Sequence, residues 1–271
     1  MSTERIAPCL YGAHVHAHGI RQHYLRFGGH GQPLIVVPGI TSPAATWAFV
    51  GERLGCSHDT YILDVRGRGL SEAGAHLHYD LESCANDVAE FATMVGLRDY
   101  AVLGHSLGAR IAARLASRPD VPISRLVLVD PPLSGPGRRA YARPLRFYLD
   151  AIEEATKGRL DAAAMRHTYP NWSEAQLRAR AEWLHTCDES AITASVRGFQ
   201  EEEIQSAFPK LRMPTLLLAA GRGGVITDED VSELRGLMPS LEVRRIDGAG
   251  HMIPFDDLET FIEVTLEFLG R

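Results

Sequence analysis

Short runs of uninterrupted apolar residues recur along the chain, separated by stretches whose apolar positions repeat every three to four residues. The runs are Leu34-Ile35-Val36-Val37, Tyr61-Ile62-Leu63-Asp64 up to its aspartate, Ala101-Val102-Leu103, Leu126-Val127-Leu128-Val129, 215–219 and 241–246. Most lack the alternation of a strand with one wet face, so they read as strands of a parallel sheet covered on both sides. The helical stretches between them, 44–54 and 81–97 among others, supply the cover; in the second, Val88, Phe91 and Met94 fall on one side. Ahead of the first run, 13–27 alternates and turns at His18-Gly19, which predicts an antiparallel hairpin at the sheet edge. The pattern therefore predicts an α/β fold with a mostly parallel eight-stranded sheet flanked by helices.

Between 131 and 208 the alternation stops. This segment is rich in Ala, Arg and Glu, carries Trp172 and Trp183, and shows no strand. It reads as a helical cap inserted after the sixth strand and lying over the carboxyl ends of the strands. The core is then 1–130 with 209–271, and the cap 131–208. No repeat, low-complexity tract or Pro/Ser-rich linker interrupts the chain, so the cap is expected to dock on the core.

A chain of 271 residues suits one sizeable domain with an insertion. Its net charge of −6, with no Lys/Arg run longer than Arg138-Arg139 or Arg244-Arg245, argues against a nucleic-acid partner. No stretch reaches the length of a membrane span, and residues 1–8 lack the apolar core of a secretory signal. Cys9, Cys56, Cys84 and Cys187 are scattered without a Cys-x-x-Cys pair and read as reduced thiols of a cytoplasmic protein. His14, His16 and His18 alternate as if along one strand face. With no acidic or cysteine partner nearby they read as an exposed edge rather than metal ligands, and no metal site is assigned.

The chemistry centres on Gly104-His105-Ser106-Leu107-Gly108, set between an apolar run and the helical stretch 109–116. Glycines two positions to either side allow a strand-to-helix corner too tight for side chains, lifting the Ser106 hydroxyl above the sheet edge at the positive end of the helix. A serine needs a base to take its proton. Of the twelve histidines, His251 follows the last strand in Gly248-Ala249-Gly250-His251, on the same edge of the sheet. After the seventh strand, Gly221-Arg222-Gly223-Gly224-Val225-Ile226 holds no carboxylate, and Asp228 comes only at the next helix. Asp130 ends the sixth strand, one strand from the nucleophile, where a carboxylate can hold the imidazole tautomer. Asp130 is read as the acid and Asp228 as the alternative. The oxyanion donors are expected to be the Leu107 and Ile40 N–H groups, Gly39 permitting close backbone approach. Thr41 or Ser42 either adds a hydroxyl donor or serves only the loop. Arg138, Arg139 and Arg222 stand near the expected pocket rim as candidates for a substrate carboxylate, with solvated surface arginines as the other reading. The turn 64–71 is assigned no chemistry.

On these residues the chain resembles the α/β-hydrolase superfamily and, within it, the N-formylmaleamate deformylase family of aerobic nicotinate degradation. The resemblance covers most of the chain: 19–26, 37–44, 64–71, Asp130-Pro131-Pro132 with 134–141, 181–187, 220–226 and 249–254. The cap and Gly-Arg-Gly-Gly stretches discriminate far better than Gly-x-Ser-x-Gly. The family's triad is a serine, an aspartate after the sixth strand and a histidine, which fall on Ser106, Asp130 and His251. The resemblance implies cofactor-free hydrolysis of a formamide C–N bond in a small anionic substrate, giving maleamate and formate. Carboxylic-ester, enol-lactone and C–C bond hydrolases use the same scaffold, and a non-catalytic ligand receptor is the reading from a different class. A serine at the corner sets the chain apart from dehalogenases and epoxide hydrolases, which carry aspartate there. Nothing in the sequence reads on oligomeric state.

Overall fold

The structure is a computed structural model that describes residues 6–270; residues 1–5, the larger part of the opening stretch read above for a signal, and residue 271 lie outside it. Eight strands form one sheet: β1 (Cys9–Ala17), β2 (Ile20–Phe27), β3 (Pro33–Val37), β4 (Asp59–Leu63), β5 (Tyr100–His105), β6 (Ile123–Val129), β7 (Thr215–Ala220) and β8 (Glu242–Ile246). Their spatial order is β1-β2-β4-β3-β5-β6-β7-β8. Only the β1–β2 and β2–β4 pairs are antiparallel. The other five pairs are parallel, so β3 to β8 all finish at one edge. Every residue of β4, β5 and β7 is buried, as expected of strands covered on both faces.

The cover comes from α1 (Ala48–Leu54), α2 (Leu81–Met94), α3 (Leu107–Ala116), α8 (Asp228–Leu237) and α10 (Leu258–Leu269), with a single-turn α9 (Ile253–Asp256). Helix α2 packs on α3, and α1 on α10. Val88 and Phe91 are buried under α2, whereas Met94, expected beside them, is exposed in its last turn. Gly96 adopts φ 76° two residues later and turns the chain out, so the helix stops short of 97. His14 and His16 lie exposed on β1. His18 is not on that strand face: it occupies the hairpin turn at φ 49°, with Nδ1 3.2 Å from Asp87 Oδ1.

Between β6 and β7 stand α4 (Leu145–Thr156), α5 (Ala162–Thr168), α6 (Glu174–Trp183) and α7 (Glu189–Glu201), with no strand among them. Their starts are written locally. Asp161 and Asp188 accept from the Ala164 and Ala191 N–H groups, and Ser173 with Gln176 forms a capping box. The Gly135-to-Arg139 stretch opens no helix; the chain stays irregular until Pro144 precedes α4. Buried arginines tie these helices to the sheet domain. Arg68 donates to Ser195 Oγ in α7 at 2.6 Å, and Arg110 of α3 donates to the carbonyls of Pro132 and Glu202 at 2.7 and 2.5 Å.

Phe91 shows how tightly the far face is packed, its ring lying 5.0 Å from that of Tyr24 and 5.8 Å from that of Tyr61. Phe91→Ala is expected to lower unfolding free energy by about 3–5 kcal/mol in a denaturant titration followed by circular dichroism; a loss below about 1 kcal/mol would contradict this packing.

Candidate active site

The corner between β5 and α3 depends on its two glycines. A Cβ on Gly104 would lie 2.3 Å from Gly108 O, and one on Gly108 only 1.9 Å from Val37 O. Ser106 between them sits at φ 54°, ψ −114°, a backbone conformation that costs roughly 1–3 kcal/mol for a non-glycine residue. The turn is held by the Ser106 N–H, which donates to Val129 O at 2.9 Å. Its hydroxyl Oγ lies 3.0 Å from His251 Nε2.

His251 Nδ1 lies 2.7 Å from Asp130 Oδ2. That contact sets the tautomer: Nδ1–H donates to the carboxylate, leaving Nε2 to accept from Ser106. Asp130 is 0% exposed, with φ 43° and its N–H on Leu218 O. Its Oδ2 also accepts from the Val225 N–H at 3.0 Å, and Oδ1 from the Ala220 N–H at 3.4 Å. Burial pushes its pKa up, but the bond to His251 and the two amides outweigh that and hold it below the ordinary carboxylate value. A depressed folded pKa means that this group's stabilisation is in place above the unfolded value and is lost as pH falls through the folded one.

The glycines after β7 explain why that loop carries no acid of its own. A Cβ on Gly224 would stand 2.9 and 3.0 Å from the Asp130 oxygens and 2.6 Å from the Ala220 Cβ. The loop is the receptor for a carboxylate arriving from the neighbouring strand. Asp228, the alternative acid, is at the first position of α8, 90% exposed, and bound to Arg245 at 2.6 Å.

His105, inside the glycine-flanked motif, has a role that the sequence pattern does not signal. Its Nε2 lies 2.9 Å from His251 O, which makes Nε2 the protonated nitrogen, and burial followed by the nearby His251 drives its pKa down to about 3. It is a neutral brace beneath the His251 loop. A second brace is Asp256, whose carboxylate accepts from the Gly250 N–H at 2.8 Å and from the Trp172 indole N–H at 3.1 Å. Trp172 stacks between Tyr169 and Phe255, with centroids 4.0 and 4.2 Å away, so the cap and the histidine loop share one support.

The loop after β3 brings Ile40 to the site. A Cβ on Gly39 would be 2.9 Å from His105 Nδ1 and 3.5 Å from Ser106 Cβ, so glycine permits this approach. All three carbonyls around the expected donor are occupied: Gly39 O by the Ser42 N–H, Ile40 O by Arg68 Nε at 3.0 Å, and Thr41 O by Arg180 Nη1. The peptide planes of this loop are fixed by these contacts, two of them from buried guanidinium groups. Leu107 opens α3, and the first N–H groups of a helix have no partner inside it. Ile40 and Ser106 line a cavity of about 300 Å³ together with Tyr141, Arg143, Tyr148 and Arg180.

Thr41 lines this cavity, but the three arginines expected near it are engaged elsewhere. Arg138 pairs with Glu233, and Arg139 with Asp230 at 2.8 Å; both tie the irregular post-β6 segment to α8. Arg222 is exposed and donates to Gly248 O. The cavity's cations are instead Arg143 and Arg180 from the cap. A sequence signal existed for Arg180. On α6 it sits among Leu177, Ala181 and Leu184, a charge within an otherwise apolar buried stripe.

Residues 32–258 match the family model for the alpha/beta hydrolase fold. The chain belongs to the α/β-hydrolase family. The hydrolase is 54% identical to N-formylmaleamate deformylase from Pseudomonas putida over 96% of this chain and 97% of that protein. A crystal structure of an N-formylmaleamic acid deformylase from Pseudomonas putida S16 superposes with a TM-score of 0.89 at 45% identity, covering 94% of this chain and all of that one. More distant is 2-(acetamidomethylene)succinate hydrolase from Mesorhizobium japonicum, 26% identical over 90% of this chain and 88% of that protein. No helix among the described residues is long and apolar enough to cross a membrane.

Asp130→Asn leaves the shape but removes the acceptor that fixes the imidazole tautomer, so kcat is expected to fall about a thousandfold or more. Asp228→Asn, which touches only Arg245 at the surface, is expected to stay within about twofold. Steady-state hydrolysis by the two variants checks this, and the reverse ranking would assign the acid role to Asp228.

Proposed function

We propose that this chain is a serine hydrolase that removes the formyl group of N-formylmaleamate, releasing maleamate and formate. The observation that carries the reading is the Ser106–His251–Asp130 relay, with links of 3.0 and 2.7 Å, opening on a cavity with two arginines in its wall. The likeness over nearly the whole chain to N-formylmaleamate deformylase supports the choice of substrate.

In this reading His251 Nε2 takes the Ser106 proton as Oγ attacks the formyl carbon, which carries only hydrogen on its open side and is the less hindered of the two acyl carbons. The oxygen of the tetrahedral adduct becomes anionic and is received by the Leu107 and Ile40 N–H groups. The imidazolium, stabilised by the ionised Asp130, protonates the departing nitrogen, and maleamate leaves as a primary amide. Water then enters, gives its proton to His251 and attacks the formyl ester on Ser106. The proton returns to Oγ as formate departs. Every step uses groups of this chain and water.

A cytoplasmic setting fits the cysteines, all four of which are free; burial pushes the Cys84 and Cys187 thiols up to about 12 and about 11. The purified protein is expected to release formate from N-formylmaleamate in step with maleamate, and Ser106→Ala to abolish it. Turnover of esters or lactones without formate release from N-formylmaleamate would replace this reading with that of an ester or lactone hydrolase. Failure of a fluorophosphonate to label Ser106 would favour a receptor.

A further inference from the structure

The cap carries a cation whose placement is not explained by packing alone. Arg180 is 6% exposed, yet no carboxylate lies within ion-pair distance of it among the described residues. Burying a guanidinium without a counter-charge is costly unless its donors are well used or an anion arrives. Two of its five N–H donors are used on one residue: Nη1 donates to Thr41 O, and Nη2 to Thr41 Oγ1 at 2.5 Å. That is the end-on edge of the fork. Nε, on the side edge, has no partner.

Arg110 shares the unpartnered Nε, so position is what sets Arg180 apart. Arg68 and Arg110 also bind carbonyls, but neither lines the cavity at Ser106, and Arg66 has the Asp87 carboxylate. Arg180 lines that cavity and also an adjoining one of about 290 Å³ bounded by Phe147, Ala151, Met165 and Leu184. It therefore stands at the junction of the two. Among the described residues the only acid lining either space is Asp150, exposed and 3.1 Å from Arg146. Arg143, the second cation of the first cavity, lies over the Phe147 ring at 4.6 Å. The walls are thus positive, and the one acid among them has its own cation.

The geometry points to Arg180 as the seat of the substrate carboxylate. This rests on the proposed deformylase reading and names what selects its substrate. The side edge of a guanidinium, Nε–H with one Nη–H, matches a carboxylate bidentately, and here Nε is buried without a partner, so an anion that enters beside Arg180 satisfies a donor that is otherwise unused. Thr41, which holds the other edge, directly follows Ile40, the expected oxyanion donor. Ile40, Ser106 and Arg180 line one cavity, so a short acyl chain bound at Ser106 shares that space with this cation. The recess beyond offers Phe147, Ala151, Met165 and Leu184 and an acid, Asp150, and no cation other than Arg180, so the anion stops at Arg180. The seat accepts small acyl compounds that carry a carboxylate at the end opposite the scissile bond, and disfavours their neutral counterparts.

The test compares formate release from N-formylmaleamate and from its neutral methyl ester, in the wild-type protein and in Arg180→Gln. The ratio of the two kcat/KM values reads the anion contact, because any shift of the Thr41 loop acts on both substrates. The wild type is expected to prefer the acid, and Arg180→Gln to reduce that preference by about 10- to 100-fold, mostly through KM. An unchanged ratio would overturn the assignment, whatever happens to the turnover common to both substrates. A second readout does not depend on the deformylase reading: maleate is expected to slow fluorophosphonate labelling of Ser106 in the wild type and at least tenfold less effectively in Arg180→Gln. Equal protection in both proteins would also overturn it. Protection that depends on Arg180, in a wild type that releases no formate, would keep the seat and remove the substrate.

Discussion

One buried carboxylate organises this molecule's reactive edge. Asp130 is sealed from water at the end of β6, and a charge there is tolerable only because three donors converge on it. Two are backbone amides of the neighbouring strand and its glycine loop; the third is the imidazole whose tautomer it sets. The loop after β7 must be glycine-rich to come that close, and the histidine loop after β8 must bend back over two strands. Geometry at Ser106 follows from these constraints, since the serine is fixed by its own corner and needs only the ring to arrive from the right side.

The cap is joined to this edge by charge and stacking as well as by apolar contact. Arg68 and Arg180 pin the Ile40 and Thr41 carbonyls, and Asp256 joins Trp172 of the cap to the peptide before His251. The loops carrying Ile40 and His251 are therefore each held partly by the helices between β6 and β7, through Arg180 and Trp172. Buried polar contacts of this sort cost much when half-made, which favours one docking position for the cap over many. In the proposed reaction the small formyl group offers little to hold, so recognition would come from the rest of the substrate, and the cations lining the cavity, Arg143 and Arg180, come from the segment between β6 and β7.

How much of this was legible in the sequence follows from which forces are local. Strands buried on both faces leave continuous apolar runs, and a corner that excludes side chains leaves glycines at fixed spacing, so the sheet and Ser106 could be read directly. Asp130 could be read because the missing acid after β7 and the aspartate ending β6 are both visible in one dimension. The arginines could not. Arg138, Arg139 and Arg222 were placed near the rim by sequence position alone, but Glu233, Asp230 and the Gly248 carbonyl claim them. Which cation faces the cavity depends on how α6 docks, a long-range fact that its polar-looking sequence encodes only as one charge among Leu177, Ala181 and Leu184. His105 was overlooked for a similar reason: inside a motif read for its serine and glycines, its partner is a carbonyl 146 positions away.

The claim on which the account turns is the hydrogen bond between the buried Asp130 carboxylate and His251. Proton NMR reads it directly, because an imidazole Nδ1–H held by a buried carboxylate resonates well downfield of the backbone amides. Such a resonance is expected in the resting protein, lost in His251→Ala and lost or moved sharply upfield in Asp130→Asn. Its absence from the folded wild-type protein in slow-exchange conditions, or its survival unshifted in Asp130→Asn, would contradict the account.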